Sequence, residues 1–309
     1  MNLILDTLFS ANTVSATIRV LTLLTYGSMA AVINVTSGVN NIGLEGILLS
    51  SALIAVIGSW AAQSWVVGML CAVVWGIAIS LIFGYLVMEL KTNNILCGLA
   101  INMFASGGTV FLLSVLTGQK GSSISIPHQV APRFTIPLLS DIPVLGVLFT
   151  DYSFFTYLSL FVILFVYIMI KKTPLGLKIR AVGLNPNSAS SVGIGVHKVR
   201  YTAFAISGAI AGLGGAYLTM GYFSSFTRDM TAGIGFMSIA ACNMGGATTV
   251  GAFLSSILFA FANVFSNVMQ SLQMSVDLIN GFPYFITIIT LFVIGFINYQ
   301  RKKKWELKK

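Results

Sequence analysis

Apolar residues fill this chain in long blocks separated by short polar breaks. Blocks near twenty residues match the hydrocarbon thickness of a bilayer, so each predicts a transmembrane helix. Trp65 to Met88 is uncharged throughout, with Trp65 as an interfacial anchor. Ile95 to Leu116 returns as its antiparallel neighbour across the short turn KTNN. Ser153 to Ile170 gives eighteen residues without a charge, about 27 Å of helix. Tyr201 to Tyr222, Val250 to Val268 and Phe282 to Tyr299 complete the long set. Val20 to Ile33 is only fourteen residues, so the first span must take in flanking positions, near Thr17 to Val35, with Arg19 snorkelling from its end. Residues 1–13 are mixed in character and read as a lead-in helix.

Two blocks break the pattern. Ile42 to Gly58 is apolar except for Glu45 and is entered through the turn-rich Thr36 to Asn41. Thr231 to Met244 is short and glycine-bracketed, and Gly245-Gly246 separates it from Val250 to Val268. That pattern predicts a discontinuous or re-entrant helix. Broken backbone at membrane depth is tolerated only when buried in protein or lining a cavity, so this segment points to a solute pathway. The expected fold is an all-α polytopic membrane bundle of about nine passages, or ten if residues 1–13 insert as a hairpin with the first span. It forms one membrane domain, 1–309, divided into a first half (1–116), an external loop (117–152), a span (153–170), a basic loop (171–200) and a second half (201–309).

Composition agrees. Mean hydropathy is +0.92 and only 8% of residues are charged, against about 25% in a soluble domain. The net charge of +9 might suggest nucleic acid, but twelve of the seventeen basic residues lie in Lys171 to Arg200 and Arg301 to Lys309. Both segments flank apolar spans, so the charge orients the chain with these segments in the cytoplasm, and no nucleic-acid partner is expected. In 117–152 the charges cancel, Lys120 and Arg133 against Asp141 and Asp151, and four prolines forbid a long helix. That loop reads as external and as a docking surface. Within the basic loop, Asn185-Pro186 supplies an N-cap and a first-turn proline, and Asn187 to Val192 can form a short helix closed by Gly193 or Gly195. A helix of under three turns is marginal alone, so it needs a surface to rest on.

Candidate chemistry is sparse. Glu45 is the one deep carboxylate. It reads either as a cap on its own helix at the membrane surface or as part of the pathway, since a mid-bilayer carboxylate costs about 2.5–3.5 kcal/mol on insertion scales. Asn94 and Asn102 can bond a neighbouring helix or a solute. Gly208, Gly212 and Gly215 are spaced for backbone-to-backbone helix packing. Cys71, Cys97 and Cys242 read as packed thiols, and His128 as a surface residue. No phosphate loop and no Ser/His or His/Asp/Glu constellation occurs, so no enzyme and no cofactor of its own are expected.

The run LGLKIRAVGLNPNSASSVGI followed by ISGAIAGLGGAYL resembles the permease subunits of bacterial ABC importers of the branched-chain amino acid, ribose and nucleoside class. VNNIGLEGILL, NNILCGLAINMFASG and LLSDIPVLGVLF resemble the nucleoside branch in particular. The resemblance runs from about Thr17 to Asn298 and implies a coupling helix seated in a groove of the ATPase subunit. That role would fall on Gly183, Asn185, Pro186, Ala189, Gly193 and Ile194. It also implies a homologous second permease, a cytoplasmic ABC ATPase carrying ATP and Mg, an external substrate-binding lipoprotein, and a place in the bacterial cytoplasmic (inner) membrane amid its lipid. The candidate pathway residues are Glu45, Asn94, Asn102, Phe236 and Asn243. Where relatives usually read like GFMAIAVALLGRTNPLGV, this chain has GFMSIAACNMGGATTVGA, so Asn243, Met244, Gly246 and Thr249 depart from the pattern. A sugar or branched-chain amino acid therefore stands as the alternative solute, and an ion-coupled secondary transporter as the alternative class, with Glu45 its only carboxylate.

Overall fold

The computed structural model describes residues 11–118, 121–134 and 151–271. The expected last span Phe282 to Tyr299, the tail Arg301 to Lys309, the Leu138 to Phe149 part of the external loop and residues 1–10 lie outside them.

Ten helices make up the described chain: α1 (Ala11–Thr36), α2 (Leu44–Ala62), α3 (Trp65–Met88), α4 (Asn94–Thr117), α5 (Phe154–Lys172), α6 (Pro174–Leu184), α7 (Pro186–Ser191), α8 (Val196–Tyr217), α9 (Ile234–Met244) and α10 (Thr249–Ser271). Among the described residues seven are long and apolar enough to cross a membrane, α1 to α5, α8 and α10. The eleven residues of α9 are not. A π turn, Leu218–Tyr222, prolongs α8. Asn93 caps α4 by accepting from the Ile95 amide, and Gly118, at φ +69, ends it. Two two-residue strands, β1 (Arg133–Phe134) and β2 (Tyr152–Ser153), pair antiparallel.

The bundle has a centre and a periphery. In α8, 78% of the apolar stretch is buried, against 22% in α4. Glycines set the centre. A Cβ on Gly208 or Gly212 would strike the backbone of Gly76 or Ala72 on α3, and one on Gly215 would sit 2.7 Å from the Leu48 carbonyl oxygen of α2. Such close approach is how membrane helices associate without a hydrophobic drive between them. Buried polar bonds fix the register: Asn34 Nδ2 donates to Ser207 Oγ (2.7 Å) and Tyr26 to the Phe155 carbonyl (2.7 Å). Ser80 Oγ donates to the Phe204 carbonyl (2.8 Å).

Two expectations change here. Residues 11–13, read as part of a lead-in, continue α1 without a break. The basic loop holds two helices where one was expected. Thr173 accepts from the Gly176 amide and Pro174 occupies the first turn, so the proline that ends α5 also starts α6. The short helix after Asn185-Pro186 is α7, and Gly193, at φ +81, stands just past its end.

Candidate functional site

Helix α2 begins inside the bundle. Its first free amides have no partner in their own helix, and Asn102 of α4 supplies one: Oδ1 accepts from the Gly46 amide (2.8 Å) and Nδ2 donates to the Ile42 carbonyl (3.1 Å). Asn102 stands eight residues into α4, about 12 Å along it. The start of α2 therefore lies well within the span. Close contact permits this, since a Cβ on Gly46 would meet the Ile101 carbonyl at 2.8 Å and one on Gly98 the Gly43 amide at 2.7 Å.

Glu45 repeats the device one helix further on. Its carboxylate accepts from the amides of Gly233 (2.8 Å) and Gly235 (2.5 Å), at the start of α9. A carboxylate at a helix N-terminus answers both its free amides and its partial positive charge. This corrects the reading of Glu45 as a cap on its own helix at the membrane surface: it caps a neighbour, at the depth of Asn102. Gly233 has φ +83, and Asp229 and Ala232 just before it also take positive φ. The chain thus bends sharply into α9, at a backbone cost of roughly 1–2 kcal/mol for each non-glycine residue so placed.

Beside this junction lies a cavity of about 300 Å³ lined by Glu45, Asn102, Ser106, Asp229, Thr231 and Gly233 among others. Asp229 accepts from Ser106 Oγ (2.7 Å) and pairs with Arg228 (3.2 Å). Sequence reasoning missed Ser106, Asp229 and Thr231. The signal available was TRDM, a charged pair immediately before a glycine-bracketed apolar segment, and Ser106 one turn beyond Asn102. Of the candidate pathway residues, Glu45 and Asn102 meet here. Phe236 and Asn243, seven residues apart, share an exposed face of α9 but do not line the cavity. Asn94 is the first residue of α4, eight residues before Asn102, and does not line the cavity.

The candidate coupling residues spread over α6, α7 and the turn that leads into α8. Asn185 caps α7, accepting from the amides of Asn187 (3.0 Å) and Ser188 (3.1 Å), and Pro186 fills its first turn. Ala189 is buried in the core with Ile194 packed against it, which seats α7 on the bundle, and the Ala189 carbonyl accepts from the Ile194 amide (3.1 Å), closing the end of the helix. Gly183 lies against the end of α1. The most exposed apolar groups of this stretch are Leu184 and Val192, at 89% and 74%, on either side of α7. Neither was singled out from the sequence.

Helices that start within a bundle of transmembrane spans, beside a cavity, are the arrangement of a multi-pass membrane transport protein. The chain belongs to the family described as branched-chain amino acid transport system / permease component, whose model matches residues 13–295. It is 34% identical over 283 residues to the guanosine ABC transporter permease protein NupQ of Bacillus subtilis, covering 88% of this chain and 87% of that one. It is 31% identical over 279 residues to the nucleoside ABC transporter permease protein NupC of Lactococcus lactis, covering 87% of each. It is also similar to a putative glucose ABC transporter permease protein, TsgC13, of Haloferax volcanii, at 27% over 273 residues, 87% of this chain and 81% of that one. The chain is thus an ABC transporter permease subunit. The relatives are transport subunits rather than enzymes.

Proposed function

We propose that this permease subunit forms half of the translocation path of a bacterial inner-membrane importer for a nucleoside or a similar small neutral polar solute. The observation that carries the reading is the meeting of α2 and α9 through Glu45, inside the span and beside a largely apolar cavity edged by a few polar groups, Asn102, Ser106 and Asp229 among them. The outward faces of α3 and α5 are apolar, with residues such as Val74, Ile82, Leu160 and Phe165 exposed, as suits lipid. Charged Arg228 and Asp229 together with Ser106 suit water or a partner subunit instead. The cavity face is therefore the one turned to the path and to a homologous second permease. A solute offering hydroxyl and amino donors suits the acceptors of Asp229, Ser106 and Thr231. The curated relatives named for guanosine and nucleosides support the same class.

The energy is supplied from outside the chain. ATP and Mg bind a separate cytoplasmic ATPase, which docks on α7 with Leu184 and Val192 as its apolar anchors, while a lipoprotein delivers solute to the opposite face. ATP-driven closure of the ATPase pair moves the two docking loops, and the permease halves rock to open the path alternately to either side. The test is uptake by the complete transporter in proteoliposomes, comparing labelled guanosine, glucose and leucine. Saturable, ATP-dependent guanosine uptake that unlabelled nucleosides compete away is expected. Uptake of glucose or leucine alone overturns the solute class, and uptake driven by an ion gradient without ATP overturns the mechanism.

A further inference from the structure

The docking loop and the Glu45 junction are connected by a short run of backbone that starts at a close backbone-to-backbone contact. Helix α1 ends at Thr36, where Gly38 turns the chain at φ +84. A Cβ on Gly183, at the end of α6, would collide with the Thr36 carbonyl oxygen and lie 3.1 Å from the Gly38 amide. A Cβ on Gly38 would in turn meet the Gly183 Cα at 3.1 Å and Arg200 Nη2 at 3.5 Å. Arg200, in the first turns of α8, donates through Nε to the Ser37 carbonyl (3.3 Å). From there only six residues lie between Gly38 and Glu45 in sequence, and hydrogen bonds tie the backbone of three of them. Val39 donates to the Asn34 carbonyl (3.3 Å) and Gly43 to Asn41 Oδ1 (3.0 Å). Ile42 and Gly46 are held by Asn102, and Glu45 holds α9.

We infer that Gly183 and Arg200 are positioning residues that pass movement of the α6–α7 loop through Thr36–Gly38 to Glu45, and so to the start of α9. The inference rests on the reading of α7 as the ATPase docking site. A backbone-to-backbone contact has no side chain to yield, so displacement of α6 is handed to α1 and α2 instead of being absorbed. The charged hydrogen bond from Arg200 fixes the same carbonyl corner from α8, which makes α1, α6 and α8 move as one unit. Glycine at 183 is then required by transmission, and the guanidinium at 200 by grip on the Ser37 carbonyl. Neither touches solute.

The experiment uses the complete transporter in proteoliposomes, with this chain carrying Arg200→Gln or, separately, Gly183→Ala. Three quantities are read: retention of the ATPase on purification, ATP hydrolysed per solute imported, and thiol labelling of Met103→Cys at the cavity. The last is done with Cys71, Cys97 and Cys242 replaced by alanine and compares ATP-bound with nucleotide-free complex. Arg200→Gln is expected to keep the ATPase bound and hydrolysing while uptake falls roughly tenfold, within the range of coupling changes for such mutations. ATP per solute rises by the same factor, and labelling of position 103 no longer depends on nucleotide. Arg200→Lys restores part of the uptake. An unchanged ATP-to-solute ratio with unchanged nucleotide-dependent labelling overturns the inference, as does loss of the ATPase, which would make Arg200 a docking residue. If Gly183→Ala yields no membrane protein, Arg200→Gln decides alone. The docking reading fails separately: Leu184→Asp with Val192→Asp must release the ATPase.

Discussion

Helices α8 and α9 are both built around glycine, and they use it in opposite ways. In α8 the glycines lie inside a continuous helix, at 208, 212 and 215, and let its backbone touch those of α3 and α2. In α9 most stand at the ends, Gly233 before it and Gly245-Gly246 after it, where they let the chain leave helical geometry, while Gly235 in its first turn brings the backbone against that of Glu45. The first use joins elements into a fixed frame. The second leaves two helix starts facing each other with a carboxylate between them. The difference separates a frame joined by backbone contacts repeated along a whole helix from a junction joined at one place, by a cap of two hydrogen bonds and the single close approach of Gly235 to Glu45.

The largest effect is expected where the frame is tightest. Gly208→Val places branched carbons against the Gly76 backbone and a Cβ about which Ser80 already stands at 2.6 Å. Overpacking costs about 1–3 kcal/mol where side chains can shift, and backbone atoms cannot. We expect loss of monodisperse protein on size-exclusion chromatography after detergent extraction. Normal yield with normal thermal stability would mean that α8 and α3 are not locked as described.

A smaller and different effect is expected at the junction. Glu45→Ala removes the acceptor of two amides, each worth about 1–3 kcal/mol if left unsatisfied, while the α8 frame is untouched. Uptake should fall to background with the protein still extractable and monodisperse. Glu45→Gln retains one acceptor oxygen and should keep a measurable fraction of uptake. If Glu45→Ala instead abolishes yield as Gly208→Val does, junction and frame are one structural unit and the contrast between α8 and α9 fails.

This contrast also explains what could be read from the sequence. Spans such as Trp65 to Met88 were legible to the residue because length and hydropathy alone decide a membrane crossing. The α8 glycines, the Asn185-Pro186 start of α7 and the broken segment after Asp229 were legible because small or capping residues announce themselves locally. The partners of Glu45 were not. Gly233 and Gly235 are 188 and 190 residues away, and nothing near Glu45 tells its cap of another helix from a cap of its own. Helix α6 was hidden for a related reason. Pro174 reads as a break, and only the Thr173 bond to the Gly176 amide shows that it also begins a helix. Leu184 and Val192 escaped notice because an apolar residue in a membrane protein is commonplace until the fold leaves it outside.

A third use of glycine, neither frame nor junction, gives the smallest expected effect. Gly193 stands just past α7 at φ +81, and a Cβ there would meet nothing within 4 Å, so Gly193→Ala meets a backbone penalty alone. That penalty is about 1 kcal/mol, the lower end for an L-residue in the left-handed region. It falls on a six-residue helix that opens locally rather than on the bundle. Thermal stability of the whole protein should therefore stay unchanged while affinity for the ATPase drops about fivefold. Asparagine tolerates this backbone region better than alanine, so Gly193→Asn should lie between the parent and Gly193→Ala in a titration of ATPase binding. Equal binding by all three would show that the end of α7 does not need its left-handed turn, leaving Asn185 and the buried Ala189 to hold the helix in place.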